Sequence, residues 1–242
     1  ATDHNHHVDF SAPAERAGVS AHFTPVVGNE VTTKAGHFNA FPVSADGAVP
    51  DAQLTDWPEL LHHIRTVTGA KVITLNHPRD VHQAFTPFGP ENFDATTGAL
   101  KKAAKFDCDA IEVVTSAAMQ SDIMQLYRDW FALLNHGHRV AGIAASDTHH
   151  VSEFILGQAR TYVAHRATDP AKIDLEEVAA SYRAGRVLVS LGLLTTMTVD
   201  GRFGIGELAT GGDGELKIKV EVLGPSWVRA DRVELFANGI KV

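Results

Sequence analysis

The sequence is poor in several features that would assign it to a particular class of protein. Its single cysteine, Cys108, excludes an internal disulfide and a zinc site built from several thiolates. No apolar run approaches the ~18 residues that a membrane span requires. Lys and Arg total 21 against 29 Asp and Glu, which gives a net charge of −8. Since nucleic-acid binding depends on clustered cations, this shortage argues against a nucleic-acid partner and favours a small-molecule substrate.

Histidine is the residue present in excess. The chain has 14 histidines in 242 residues, well above the ~2% of an average protein. The apolar share of 44% and the charged share of 21% are ordinary for a globular protein. The length allows one large domain and one small one. The positions of the histidines therefore carry the information about function.

Short runs rich in β-branched residues alternate with helical patterns, which is typical of βα units around a parallel sheet or barrel. Strands are predicted at 72–75, 110–114, 140–144 and 187–190. Three helices are predicted: one that opens at Asp56, one from Met119 to a stop at Gly137, and one over 174–184. After Gly192 the apolar residues alternate with a period of two, which predicts the start of an antiparallel β domain.

Four histidine-bearing segments combine imidazoles with other polar side chains. They are Thr-Asp-His-Asn at 2–5, Gly-His-Phe-Asn at 36–39, Asn-His-Pro-Arg at 76–79 and Ser-Asp-Thr-His-His at 146–150. The last two segments directly follow predicted strands. Because the carboxyl ends of barrel strands meet on one face, side chains placed there share one cleft.

Imidazole nitrogens and carboxylate oxygens are suitable ligands for zinc, manganese and iron. A carboxylate can bridge two ions, and Glu30 and Asp147 are the candidate bridges. Two ions ~3.5–4 Å apart activate a shared water and stabilise charge that develops on a substrate. The pattern predicts hydrolysis by a metal-bound hydroxide.

The five segments Thr-Asp-His-Asn, Gly-Asn-Glu-Val-Thr-Thr, Gly-His-Phe-Asn-Ala-Phe-Pro, Asn-His-Pro-Arg and Ser-Asp-Thr-His, in this order, resemble the PHP (polymerase and histidinol phosphatase) superfamily. More narrowly, the chain is similar to the CehA/McbA-like metallohydrolases. The resemblance covers residues 1 to about 195 and continues weakly beyond them.

The resemblance implies a distorted (β/α)7 barrel with up to three divalent ions, Zn, Mn or Fe. By that pattern Glu30 bridges the first two ions and Asp147 belongs to the first, while His37 and His77 complete the second. His4 and His149 bind the third. Family members usually carry a His-x-His pair and a further His upstream of Thr-Asp-His, and this sequence has neither. We therefore expect a metallohydrolase barrel over 1–192 without its N-terminal ligand motif, and a β-rich segment over 193–242 that is cut from a longer protein.

Several alternatives stay open at the level of sequence. The substrate is a phosphate ester, the superfamily's commonest type, or a carboxylic or carbamate ester as in the narrower resemblance. Arg79 either contacts a substrate anion as a catalytic residue or forms a salt bridge to Asp80 or another surface acid. A protein of another class, a non-catalytic binding module with a structural metal, is the rival interpretation. His82 and His150 are candidates for substrate contact, and the compartment cannot be read.

Overall fold

The computed structural model describes residues 1–103, 105–115, 122–150, 152–153, 155–211 and 214–242. Four α-helices occur within these ranges: α1 (Ser11–Arg16), α2 (Trp57–Thr68), α3 (Gln125–Asn135) and α4 (Leu175–Arg183). The strands are β1 (Asn29–Thr33), β2 (Gly36–Phe41), β3 (Val72–Leu75), β4 (Ala110–Thr115), β5 (Ala141–Ala145), β6 (Arg160–Val163), β7 (Val187–Ser190), β8 (Leu194–Val199), β9 (Ile218–Leu223), β10 (Phe236–Ala237) and β11 (Ile240–Lys241).

The main sheet is mixed and has five strands in the order β1-β2-β3-β4-β5. The first three strands pair antiparallel, whereas β3, β4 and β5 are parallel to one another. Antiparallel neighbours can be joined by a tight turn, and only Lys34 and Ala35 separate β1 from β2. Gly36 completes that turn with a φ of +121°, a conformation that other residues rarely adopt.

One face of this sheet packs against helices and forms the main apolar core. Alternation along the strands directs Val31, Phe38 and Ile73 to this face, and all three are fully buried. They pack with apolar residues of α2 and α3, such as Leu60 and Leu133. The opposite face of the first strands is polar, because the residues between the apolar ones are Glu30, Thr32, His37, Asn39 and Thr74. This polar face carries the candidate site.

The local predictions for helices and strands are largely confirmed. Asp56 caps α2, since its side chain accepts a hydrogen bond from the Glu59 N–H. Asp174 caps α4 in the same way. The four predicted strands correspond to β3, β4, β5 and β7, each within one residue at either end. Met119 of the second predicted helix lies outside the described residues.

The expected distorted (β/α)7 barrel is wrong. The described part of the chain contains a five-stranded mixed sheet with edges at β1 and β5, plus small antiparallel pairs, and no closed barrel. A barrel needs a helical crossover of a dozen or more residues between successive parallel strands. Here the β1–β2 turn is too short for one, and within the described residues only β3, β4 and β5 run parallel.

The last part of the chain forms antiparallel hairpins. Strand β8 pairs with β9, and β10 pairs with β11 through an Asn238-Gly239 turn whose residues both have positive φ. Such a turn is the usual two-residue hairpin connection. The division of the chain at 192/193 into two domains stays a prediction. None of the described helices is long and apolar enough to cross a membrane.

Candidate metal centre

The polar face of the sheet holds a row of buried side chains that cross three strands. Glu30 of β1 is paired in register with Asn39 of β2, and Asn39 is paired with Thr74 of β3. Glu30 is 4% exposed and Thr74 is fully buried. A buried carboxylate is costly unless cations or hydrogen-bond donors compensate its charge. Around Glu30 the compensating groups are imidazoles.

Two imidazoles from separate elements meet at Glu30. His37, near the start of β2, places Nδ1 2.9 Å from Glu30 Oε1. His77, directly after β3, places Nε2 3.6 Å from the same oxygen. The other ring nitrogen of His77 lies 3.4 Å from Asp80 Oδ2. A carboxylate on the far nitrogen is the usual partner that orients a metal-binding histidine.

His82 joins this group and was not predicted as a ligand. Its ring centroid lies 4.1 Å from that of His37 and 5.2 Å from that of His77. A bridge to Phe85 fixes its backbone, with His82 N donating to Phe85 O at 2.6 Å. The Nε2 atom is buried and has no hydrogen-bond partner in the described part of the chain. Such an atom normally costs about 1–3 kcal/mol, so a bound cation is a fitting partner for it.

The residues of this group differ in the direction in which their pKa values are shifted. Burial opposes ionisation of Glu30, but hydrogen bonds from His37 and His77 outweigh it and hold its pKa well below the ordinary value. Burial also disfavours the charged form of His77, yet the hydrogen bond to Glu30 and the charge of Glu112 raise its pKa to about 9. For His82, burial and then the charges of His37 and His77 lower the pKa to about 4. His82 is therefore neutral at pH 7, the form that binds a metal.

Strained backbone and a second buried carboxylate support the position of His77. The φ of His77 is +22°, outside the usual region for a residue with a side chain. Its N–H donates to Glu112 Oε2 at 3.0 Å, and Glu112 of β4 is 1% exposed. Burial raises the pKa of Glu112 to about 7, against the opposing charge of His77. Residues in rare conformations cluster at functional sites, where the surrounding structure holds them.

A second group lies beside the first, where the segment before β1 meets the loop after β5. His4 pairs with Glu30 in a parallel bridge and places Nδ1 3.5 Å from Glu30 Oε2. Its Nε2 lies 3.0 Å from His149 Nε2. His149 Nδ1 donates to the Asp147 carbonyl at 3.0 Å and lies 3.6 Å from Asp147 Oδ1. Asp147 has a φ of +49°, so it is also in a rare conformation.

Two sets of ligand atoms are close enough to hold an ion. One ring nitrogen from each of His37, His77 and His82 lies within 4.8 Å of the others. In the second set, one ring nitrogen from each of His4 and His37 and one carboxylate oxygen of Glu30 lie equally close together. Nitrogen and carboxylate oxygen are the donors that zinc and similar ions accept. The residues present therefore fit a divalent cation. The buried His/Glu cluster could hold at least one ion.

No family model, curated protein or solved structure matches this chain. The geometry of the histidine cluster must therefore carry the assignment of function, together with the motif pattern of the sequence. The PHP resemblance remains an expectation.

A cleft of about 670 Å³ lies beside the cluster. Glu30, His4 and His149 line it, whereas His37, His77 and His82 are not among its lining residues. Its walls include four carboxylate residues, which are Asp3, Glu30, Glu112 and Asp147. Phe10 and Leu156 also line it, and Leu156 is 82% exposed. No Lys or Arg occurs among the described residues that line this cleft. Its charge is therefore negative until a cation binds.

The structure brings together most of the predicted site residues and separates one. His4, Glu30, His37, His77, Asp147 and His149 all surround this cluster. Arg79 instead forms a two-pronged salt bridge to Asp129 of α3, at 2.6 and 2.8 Å, and also donates to Phe88 O. Asp129 is 2% exposed, so the partner is a buried acid and not a surface one. His150 lies in the cleft wall.

Proposed function

We propose that this protein is a metal-dependent hydrolase that acts on ester bonds. The observation that carries the proposal is the group of His37, His77 and His82, in which three imidazoles converge and two of them also contact the buried carboxylate of Glu30. The ordered motifs that resemble PHP metallohydrolases support the same chemistry. Glu30 and His4 line an open cleft beside this group, so an ion bound at Glu30 has room for water and substrate, which a closed structural site lacks.

The residues divide into two adjoining ligand groups. The first ion would be held by His37, His77 and His82. A second would be held by His4 and His149, whose Nε2 atoms lie 3.0 Å apart, with Glu30 and Asp147 as the neighbouring carboxylates. Glu30 lies between them, with Oε1 near His37 and His77 and Oε2 near His4. A divalent cation supplies a Lewis acid that activates water and polarises the scissile group. Asp80 lies 3.4 Å from His77 Nδ1 and is placed to orient the ring of a metal-bound His77, and Glu112 accepts a hydrogen bond from the His77 N–H.

The cleft favours a neutral ester over a phosphate monoester. The catalytic role considered for Arg79 requires a guanidinium that reaches the cleft, whereas this one is engaged by Asp129 and Phe88. Phe10 and Leu156 line the cleft and offer an apolar contact to a substrate. Carboxylic and carbamate esters carry no charge at the reacting group. We therefore place them ahead of phosphate esters, the superfamily's commonest substrates.

A substrate panel with metal-loaded protein tests this proposal. The panel contains p-nitrophenyl acetate and butyrate, an aryl carbamate and p-nitrophenyl phosphate, each assayed with Zn²⁺ or Mn²⁺. We expect the neutral esters to be hydrolysed, the activity to disappear with EDTA, and His77→Ala to lose about 100-fold or more. His62→Ala, an exposed histidine on α2, is the matched control. If metal binds tightly but no ester is cleaved, the metal is structural and the rival binding-module interpretation holds.

A further inference from the structure

Thr32 lies two residues beyond Glu30 on the same face of β1, and its hydroxyl contacts a candidate ligand. Thr32 Oγ1 is 2.5 Å from His4 Nδ1 and 3.2 Å from the Glu30 carbonyl oxygen. A hydroxyl has one proton to donate and can also accept. When Thr32 donates to the Glu30 carbonyl, it can accept the Nδ1–H of His4. The Nε2 atom of His4 then carries its lone pair.

The backbone of Thr32 is also tied to the segment that carries His4. Asn5 accepts the Thr32 N–H through Oδ1 at 2.9 Å and donates through Nδ2 to Thr32 O at 3.2 Å. Asn5 N donates to Glu30 O, and Glu30 N donates to Asp3 O. These four bonds hold residues 3–5 against β1 like a short extra strand. The His4 ring is consequently held beside the Thr32 hydroxyl.

The ring nitrogen that faces His4 Nε2 belongs to His149. Its Nδ1 donates to a carbonyl oxygen, which is an acceptor only, so the neutral His149 ring carries its lone pair on Nε2. That atom is 3.0 Å from His4 Nε2. Two lone pairs at this distance repel each other unless a cation lies between them or one ring supplies a proton. The choice between these states depends on which nitrogen of His4 holds the hydrogen.

We propose that Thr32 is a positioning residue that fixes the ring nitrogen His4 uses as a ligand. By accepting the Nδ1–H, its hydroxyl turns the Nε2 lone pair toward His149 and assigns His4 to the second ion. Without the hydroxyl, Nδ1 faces Glu30 Oε2 at 3.5 Å, and His4 can instead offer that nitrogen to the Glu30–His37 group. This inference rests on the proposed two-ion site, and Thr32 itself touches neither metal nor substrate.

The test compares Thr32→Val, which keeps the β-branched shape and removes the hydroxyl, with Thr32→Ser, which keeps the hydroxyl. Zn²⁺ binding is measured by calorimetry with a competing chelator. We expect wild type to bind two ions, and Thr32→Val to bind the first normally and the second about 10–100-fold more weakly. Thr32→Ser should restore wild-type binding. Thr33→Val is the matched control, because the Thr33 hydroxyl bonds within the β1–β2 turn, away from His4.

Two further measurements separate positioning from a general structural effect. Nitrogen-15 NMR of histidine rings in the Zn²⁺-loaded wild type should show His4 protonated at Nδ1. In a His149→Ala background, Thr32→Val should cause no further loss of zinc affinity. Equal binding by wild type and Thr32→Val, equal weakening of both ions, or a single ion in wild type overturns the role of Thr32 and leaves the first ion in place. A wild type that binds no zinc overturns the proposed function itself.

Discussion

Removal of the His82 ring should weaken metal binding strongly and change the metal-free protein little. In the metal-free state, His82→Ala loses buried ring contacts, at a cost of about 2–3 kcal/mol. It also removes the buried Nε2 that lacks a hydrogen-bond partner among the described residues, which returns about 1–3 kcal/mol. Because these terms oppose each other, we expect a net change in unfolding free energy within about 2 kcal/mol.

The metal-bound state should respond differently. Tight structural zinc sites bind with about 10–16 kcal/mol, which is about 3 kcal/mol for each of four ligands, or roughly 100-fold in affinity. At a metal concentration 1,000 times the wild-type Kd, metal stabilises the native state by about 4.1 kcal/mol, and after a 100-fold loss by about 1.4 kcal/mol. At about 2–4 °C per kcal/mol for a chain of this size, the metal-induced rise in Tm should be about 5–11 °C smaller.

Differential scanning fluorimetry with and without Zn²⁺ measures this difference directly. His62→Ala, which removes an exposed imidazole from α2, serves as the control and should keep the full metal-induced rise. The reasoning is refuted if His82→Ala shows the same rise as wild type. In that case His82 is a buried neighbour of the site and not a ligand.

Two more outcomes follow from the charges near the site. The pKa of metal-free His77 is raised to about 9 from an ordinary 6.5, so its stabilising contribution is complete below pH 6.5 and is lost as the pH rises through 9. The unfolding free energy of the metal-free protein, measured by urea titration, should therefore fall over this pH window. The Zn²⁺ affinity should rise over the same window, because the proton leaves the ring. In the control variant His77→Asn, the unfolding free energy should not change over this window. Arg79→Met should destabilise the fold by about 3–5 kcal/mol in chemical denaturation, since it leaves the Asp129 carboxylate buried without a cation. A loss below about 1 kcal/mol would show that the pair is not needed for folding.

Local patterns predicted the helices and strands because their signals lie within a few residues. Asp56 and Asp174 are caps that act on the next turn of helix. The Asn238-Gly239 turn is equally local. The barrel prediction was wrong because it assumed that the first strands run parallel. The short turn between β1 and β2 forces an antiparallel pair, and the motif pattern carried no information about that direction.

The candidate site was predictable where its residues follow strands. His77 directly follows β3, which was predicted as a strand, so its place at a strand end indicated its position. Strands β1 and β2 were not predicted, and Glu30 and His37 were identified only through the motifs that resemble PHP metallohydrolases. His82 lies in an irregular loop, where no periodicity reveals the direction of a side chain. The position of the Arg79 side chain is set by its salt bridge to Asp129, fifty residues away in the chain. Long-range ion pairs of this kind leave no signal in the sequence. The role proposed for Thr32 is inferred from the distance between its hydroxyl and His4, which the sequence does not contain.

The most direct test of the central claim is the position of a metal ion in a crystal of the wild-type protein grown with Zn²⁺. The account predicts an anomalous peak beside Glu30, about 2.0–2.3 Å from ring nitrogens of His37 and His77. A crystal with zinc at exposed histidines such as His136, and none between His37 and His77, would contradict it.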